Sequence, residues 1–243
     1  MEGKIDLSSI IQIPGKKLVI ILLVVLWAGC SSGAEQALNV PPDGFVALFN
    51  GRDLDGWKGL VSNPVSRAQM SAAELEESQG EADEVMRLHW QVVEGILTFD
   101  GGGQSLCTAK DYGDFELLVD WKIGEFGDSG IYLRGSPQVQ IWDPAQWSIG
   151  SGGLYNNQEG ESNPLVQADN PIGEWNTFRI LMTGERVTIH LNDVLVVDEV
   201  VMENYWERDK SIYPVGQIEL QSHSHSLFFR NIYIREIGST SLQ

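Results

Sequence analysis

The side chains with the most chemical reach sit on three short stretches. Tyr132 and Arg134 share one parity of the first, and Gln138, Gln140 and Trp142 share one of the second. Gln217, Glu219, Gln221 and His223 share one of the third. An ordinary solvent face of a strand is dominated by Lys, Glu, Thr and Ser. Planar amides, a guanidinium, an aromatic ring and one carboxylate suit a sugar instead. Amides and Arg bond vicinal hydroxyls in pairs, while a ring packs on the apolar face of a pyranose. The competing reading is an exposed polar sheet rich in Gln. Three separate stretches share the bias, so a carbohydrate-binding groove is expected.

Within that set His223 can take or give a proton near neutral pH. His223-Ser224-His225 also places two imidazoles on one strand face, a spacing able to chelate a metal, with no third ligand nearby in sequence. A divalent metal ion is therefore the one cofactor the sequence allows for. Asp128 and Asp143 are carboxylates at loop edges, where such residues either cap turns or act on a substrate. There is no Gly-x-Ser-x-Gly elbow, phosphate loop or dinucleotide fingerprint.

The elements that must position these groups are mostly strands. Phe115, Leu117, Val119, Trp121 and Ile123 alternate with Glu116, Leu118, Asp120 and Lys122. The same period of two recurs in Ile131/Leu133, Val139/Ile141, Phe178/Ile180/Met182, Val187/Ile189/Leu191 and Ile218/Leu220. Such alternation marks half-buried antiparallel strands, joined here by turns at Thr183-Gly184-Glu185 and Asn192-Asp193. Many short strands without intervening helices predict an all-β sandwich or jelly roll, and the lack of a fixed repeat argues against a propeller. One inserted helix is expected from the capping box Ser71-Ala-Ala-Glu74 to about Leu88. Its apolar stripe is thin (Leu75, Ala82, Val85), Gly80 threatens to bend or stop it, and it reads as packed on the surface. Gly101-Gly102-Gly103 reads as a hairpin turn.

The first thirty residues form a secretory leader. Lys4, Lys16 and Lys17 precede the apolar run Leu18–Ala28, which is too short to span a bilayer, since that takes about 20 residues. Ala28-Gly29-Cys30 resembles the bacterial lipobox, so Cys30 is expected to carry lipid and anchor the mature protein to a membrane. Export to the periplasm or outer membrane as a lipoprotein follows. Residues 31–42 read as a tether, 43–237 as one domain and 238–243 as a tail. The only cysteines are Cys30 and Cys107, so with Cys30 lipidated no disulfide can hold the domain. Stability then rests on a core, to which 42% hydrophobic residues are suited. A net charge of −18 repels phosphate backbones, so nucleic acid is not an expected partner.

Several motifs then carry a resemblance. In order they are Leu48–Trp57 (LFNGRDLDGW), Asp114-Phe-Glu-Leu, Ser129–Arg134 (SGIYLR), Val139–Asp143 (VQIWD), Gly173-Glu-Trp-Asn, Leu220–His223 (LQSH) and Phe229-Arg-Asn-Ile. Together, over about residues 43–237, the chain resembles the 3-keto-disaccharide hydrolase family. That resemblance implies a concanavalin-A-like lectin/glucanase jelly roll whose concave face binds a glycan. It also implies action on 3-keto-glycosides by elimination across C1–C2 and hydration, in a bacterial cell envelope. A ketone at C3 acidifies the C2 proton, so no carboxylate pair at glycosidase separation is required. The roles implied are His223 as base, Glu219 or Asp143 as acid, and Arg134 or a metal stabilising the enolate. Tyr132, Gln138, Gln140, Trp142, Gln221 and Asp128 would bind the sugar. Gln138 stands where the family often has Glu, which removes an acid or metal ligand at that position. The alternative is a non-catalytic carbohydrate-binding or lectin-like envelope protein using the same face.

Overall fold

The computed structural model of the chain describes residues 37–238. The leader, Cys30 and residues 239–243 lie outside the described residues. The expected tether does not extend to Pro42, because Asn39 is tied into the fold. Its backbone N–H donates to Asn231 Oδ1 at 2.8 Å, and the Asn231 N–H donates back to Asn39 Oδ1 at 2.9 Å.

In chain order, β1 (Val46–Ala47) and β2 (Trp57–Gly59) precede two helices, α1 (Pro64–Arg67) and α2 (Ala72–His89). There follow β3 (Trp90–Val93), β4 (Ile96–Phe99), β5 (Leu106–Thr108), β6 (Phe115–Ile123), β7 (Asp128–Leu133) and β8 (Ser136–Trp142). The chain closes with β9 (Asn176–Thr183), β10 (Arg186–Leu191), β11 (Val194–Val201), β12 (Glu219–Leu220) and β13 (Leu227–Glu236). Two antiparallel sheets result, an eight-stranded one in the order β11-β10-β9-β6-β13-β4-β3 with β1 on β13, and a five-stranded one in the order β2-β5-β12-β7-β8. The chain passes repeatedly from one sheet to the other, which is the all-β jelly-roll sandwich expected.

The period-two residues meet between the sheets. Phe115, Leu117, Val119, Trp121 and Ile123 on β6 and Phe178, Ile180 and Met182 on β9 face Ile131, Leu133, Val139 and Ile141 on β7 and β8, all buried. Burial of such side chains stabilises by roughly 1.5–3 kcal/mol each. Trp121 sits in this layer, its ring 5.4 Å from that of Phe178.

Two local expectations are corrected. Gly101–Gly103 is not a hairpin turn, since β4 and β5 belong to different sheets and the glycines carry the chain between them. Gly103 has φ +78°, and a Cβ there would meet the His89 ring at 2.5 Å. Gly80 does not stop α2, which runs unbroken from its Ser71 capping box to His89. A mid-helix Gly costs about 1 kcal/mol, and packing offsets it. Ala82 and Met86 bury against the sandwich, Gly59 N–H donates to Asp83 Oδ1 at 2.9 Å, and Gln79 Nε2 donates to Gly59 O at 2.9 Å. The helix thereby covers the free edge of β2.

Candidate functional site

The outer face of the five-stranded sheet carries the site. Strand register puts Lys58, Cys107, Glu219, Tyr132 and Gln138 in one row across all five strands. Gly130 and Gln140 face each other in the next row, joined by Gln221, whose N–H donates to Gly130 O at 2.9 Å. Asp128 and Trp142 face each other in the third, where His223 Nε2 lies 3.8 Å from Asp128 Oδ2. At a strand rise of about 3.3 Å per residue, Tyr132 and Asp128 are about 13 Å apart along β7. Two titratable pairs thus stand one disaccharide length apart.

The α1 turn lies over the face beside the first row. Asn63 caps it by accepting from Ser66 N–H at 3.0 Å, and Pro64 occupies its first turn. A Cβ on Gly135 would lie 3.2 Å from Pro64 Cγ and 3.6 Å from Glu219 Oε1. On one side is a cavity of about 190 Å³ lined by Asn63, Pro64, Tyr132, Trp206, Glu219 and Gln221, among others. On the other is a larger cavity of about 970 Å³ against α2, lined partly by Lys58, Arg67 and Gln217. Pro64 borders both, so α1 divides the face.

Glu219 is the electrostatically unusual residue. Its side chain is 4% exposed, and burial pushes its carboxyl up to about 7, opposed only by the positive charge of Arg67. Among the described residues no donor hydrogen-bonds that carboxyl. Tyr132, directly across the ladder, has its hydroxyl pushed up by burial and by the charge of Glu219, so it is a proton donor throughout the physiological range. Burial also raises Asp128, while the charge of His223 and bonds from Gln140 and Trp142 pull it back.

The amides between the two pairs form a chain. Gln138 Nε2 donates to Gln140 Oε1 at 2.8 Å, and Gln140 Nε2 donates to Asp128 Oδ1 at 2.9 Å. Gly130 permits this close packing, because a Cβ there would meet Gln138 Cγ at 2.5 Å. Gln138 Oε1 and Gln221 Oε1 are buried without a partner. A buried acceptor left open on a groove floor suits a ligand hydroxyl. Glu219, Tyr132, Gln138, Gln140, Gln221, Asp128 and His223 therefore come together as the sequence suggests.

Three expected site residues do not serve as foreseen. Arg134 is not a strand residue facing the groove. With φ +56° beside Gly135 at +68°, it opens the two-residue turn between β7 and β8, after a register shift at Tyr132. It is 2% exposed, and its guanidinium donates to Gly113 O, Gly184 O and Tyr213 O at 2.8, 2.8 and 3.3 Å and to Asp114 Oδ1 at 2.6 Å. It clamps loops, four of its five N–H donors being taken by them, and it is buried away from the groove. Asp143 is a turn cap rather than an acid, its Oδ2 accepting from Phe126 N–H and its Oδ1 from Ala145 N–H, both at 2.8 Å. Trp142 faces the groove end but is buried, covered by Trp147 stacked at 5.0 Å and by the edge of Tyr155 at 4.9 Å. Asn63, Arg67 and Trp206 escaped sequence reasoning because they come from loops with no periodic signal.

The His223 and His225 rings lie parallel with centroids 6.2 Å apart. Among the described residues no group of three or more His, Cys, Asp or Glu side chains gathers.

An antiparallel jelly roll with an amide-lined groove and a buried carboxyl is an arrangement suited to a carbohydrate ligand. The chain belongs to the family of 3-keto-alpha-glucoside-1,2-lyase-like domains, which it matches over residues 44–235. It is similar to a protein of Bacteroides thetaiotaomicron named 3-keto-disaccharide hydrolase, at 23% identity over 82% of this chain and 80% of the relative. Two crystal structures from Parabacteroides distasonis, provisionally named glycosyl hydrolases, share the fold. One superposes with TM-score 0.63 at 22% identity, covering 83% of this chain and all of the other. The second gives 0.60 at 26% identity, covering 81% and 85%.

Proposed function

We propose that this protein cleaves 3-keto-glycosides by elimination across C1–C2 and rehydration, with Glu219 and Tyr132 as its proton-transfer pair. The supporting observation is the buried Glu219 carboxyl, pushed up to about 7 and facing Tyr132 across one ladder position. A carboxyl poised there is about half ionised at neutral pH, which suits a general base. Ionised Glu219 takes the C2 proton, and the electron pair left at C2 forms the enolate of the C3 ketone. The enolate collapses to a C1=C2 double bond as the C1–O bond breaks, and the departing oxygen takes the Tyr132 proton. Proton transfer from Glu219 back to the tyrosinate restores both groups. Water then adds across C1=C2 by the reverse sequence. The 13 Å spacing moves the base from His223 to Glu219 and gives Asp128 and His223 to the hydroxyls of the neighbouring sugar. The leader ending at Cys30 supports work in the cell envelope.

The test is turnover of a 3-keto-disaccharide in deuterium oxide. Elimination and rehydration leave deuterium at C2 beyond the background exchange of the keto sugar, whereas direct hydrolysis leaves none. Glu219→Gln should lower kcat about 100-fold or more, the usual size of a lost general base. Full turnover in that variant refutes the assignment. Binding by the parent protein without turnover would instead mark a carbohydrate-binding module.

A further inference from the structure

The groove does not end at Asp128. Trp142, opposite Asp128 on β8, is itself covered by two further aromatic rings. Trp147 stacks on it with an 18° interplanar angle, and Tyr155 packs T-shaped against it at 72°. Both outer rings face solvent, Trp147 being 38% and Tyr155 56% exposed. Leaving such rings in water forgoes burial that a core position would give, yet the loop is built to hold them out. Asp143 O accepts from Trp147 N–H at 3.0 Å, and Gly150 N–H donates to Trp147 O at 2.9 Å. Trp142 N–H donates to Ser151 Oγ at 2.9 Å, which fixes the far side of the loop.

We propose that Trp147 and Tyr155, seated on Trp142, form an aromatic platform that binds the second pyranose of the substrate through its C–H face. This rests on the groove reading above and extends it to the leaving sugar. Flat aromatic faces favour pyranoses whose ring C–H bonds are axial, as in gluco-configured sugars, because those hydrogens point at the ring electrons. The geometry fits such a ligand. With the oxidised ring against Glu219 and Tyr132, the linked ring extends along β7 toward Asp128, which stands about 13 Å from Tyr132, and toward His223 and the platform. Its hydroxyl edge meets Asp128 and His223 while its apolar face meets Trp147. Asp143, which holds the loop, is then a positioning residue for this platform.

The experiment compares Trp147→Ala and Tyr155→Ala with the parent on a 3-keto-disaccharide and on the matching methyl 3-keto-glycoside. The preference for the disaccharide in kcat/KM should fall at least ten-fold, mainly through KM, and Trp147→Phe should restore much of it. Circular dichroism melts confirm folded variants. An unchanged preference, or equal losses on both substrates, overturns the platform. If the parent turns over neither substrate, the catalytic reading fails while the platform is still judged by binding. Quenching of tryptophan fluorescence by unoxidised gluco-disaccharides should then be seen in the parent and lost in Trp147→Phe and Tyr155→Ala, and quenching that persists in both overturns the platform.

Discussion

Glu219 and Tyr132 occupy directly opposed positions of the β12–β7 ladder, one a carboxyl without a donor and the other a phenol that stays protonated. Glu219 perturbs its partner, since its charge is among the causes that raise Tyr132. The site therefore carries a stability cost at neutral pH, and that cost can be measured.

The folded carboxyl titrates at about 7, against an ordinary 4.5. Between those values the folded state holds a proton that the unfolded state has released, so stability falls as pH rises through that window. The shift corresponds to roughly 3 kcal/mol at full ionisation. Glu219→Gln should thus be more stable than the parent by roughly 1–3 kcal/mol at pH 8 and no more stable at pH 4, read from urea melts. Equal gains at both values would show that the carboxyl is not held neutral by the fold.

Arg67 is the positive charge that opposes the rise of Glu219. Removing it in Arg67→Met should move the limb of the pH–rate profile belonging to this carboxyl to higher pH. A limb that stays in place would separate that charge from the reacting centre.

Arg134 carries a different expectation from any groove residue. Arg134→Ala leaves Asp114 without its guanidinium and three loop carbonyls without a donor. The loss should be roughly 3 kcal/mol or more in a denaturant melt. A change within 0.5 kcal/mol, the usual range for a surface site, would contradict the clamp.

Trp121 fills the layer between the sheets against Phe178. Trp121→Ala should cost roughly 3–5 kcal/mol. Less than about 1 kcal/mol would mean that its neighbours close over the gap.

Cys30 is tested chemically. Labelled palmitate should enter the mature protein and vanish in Cys30→Ser, and label persisting in that variant rules out lipidation at this residue.

Period-two patterning made the sandwich readable, since Phe115 to Ile123 on β6 needs only alternation to declare its inward face. The same rule placed Glu219, Gln221, Gln138 and Gln140 on one outward face correctly. It failed at Arg134, because alternation was carried one residue too far into a turn whose Arg-Gly pair lacks the usual Asn-Gly signature. It also misread Asp143, since a carboxylate that caps a turn and one that acts on a ligand look identical until their amide partners are known. Trp147 and Tyr155 stand on an irregular loop whose shape depends on distant hydrogen bonds. Gly80 shows the reverse case, where a local helix breaker was overruled by Ala82 and Met86 packing on the sandwich.

On the proposed reading, the α1 turn would set the direction in which a glycan is read. Pro64 stands against Gly135 at the Glu219 end of the groove, while the Trp147 end opens to solvent. On the proposed reading, α1 would stop a polymer threaded along the sheet, so that the groove would take a chain terminus rather than an internal linkage. Such a site would count inward from the last sugar and release its products one unit at a time.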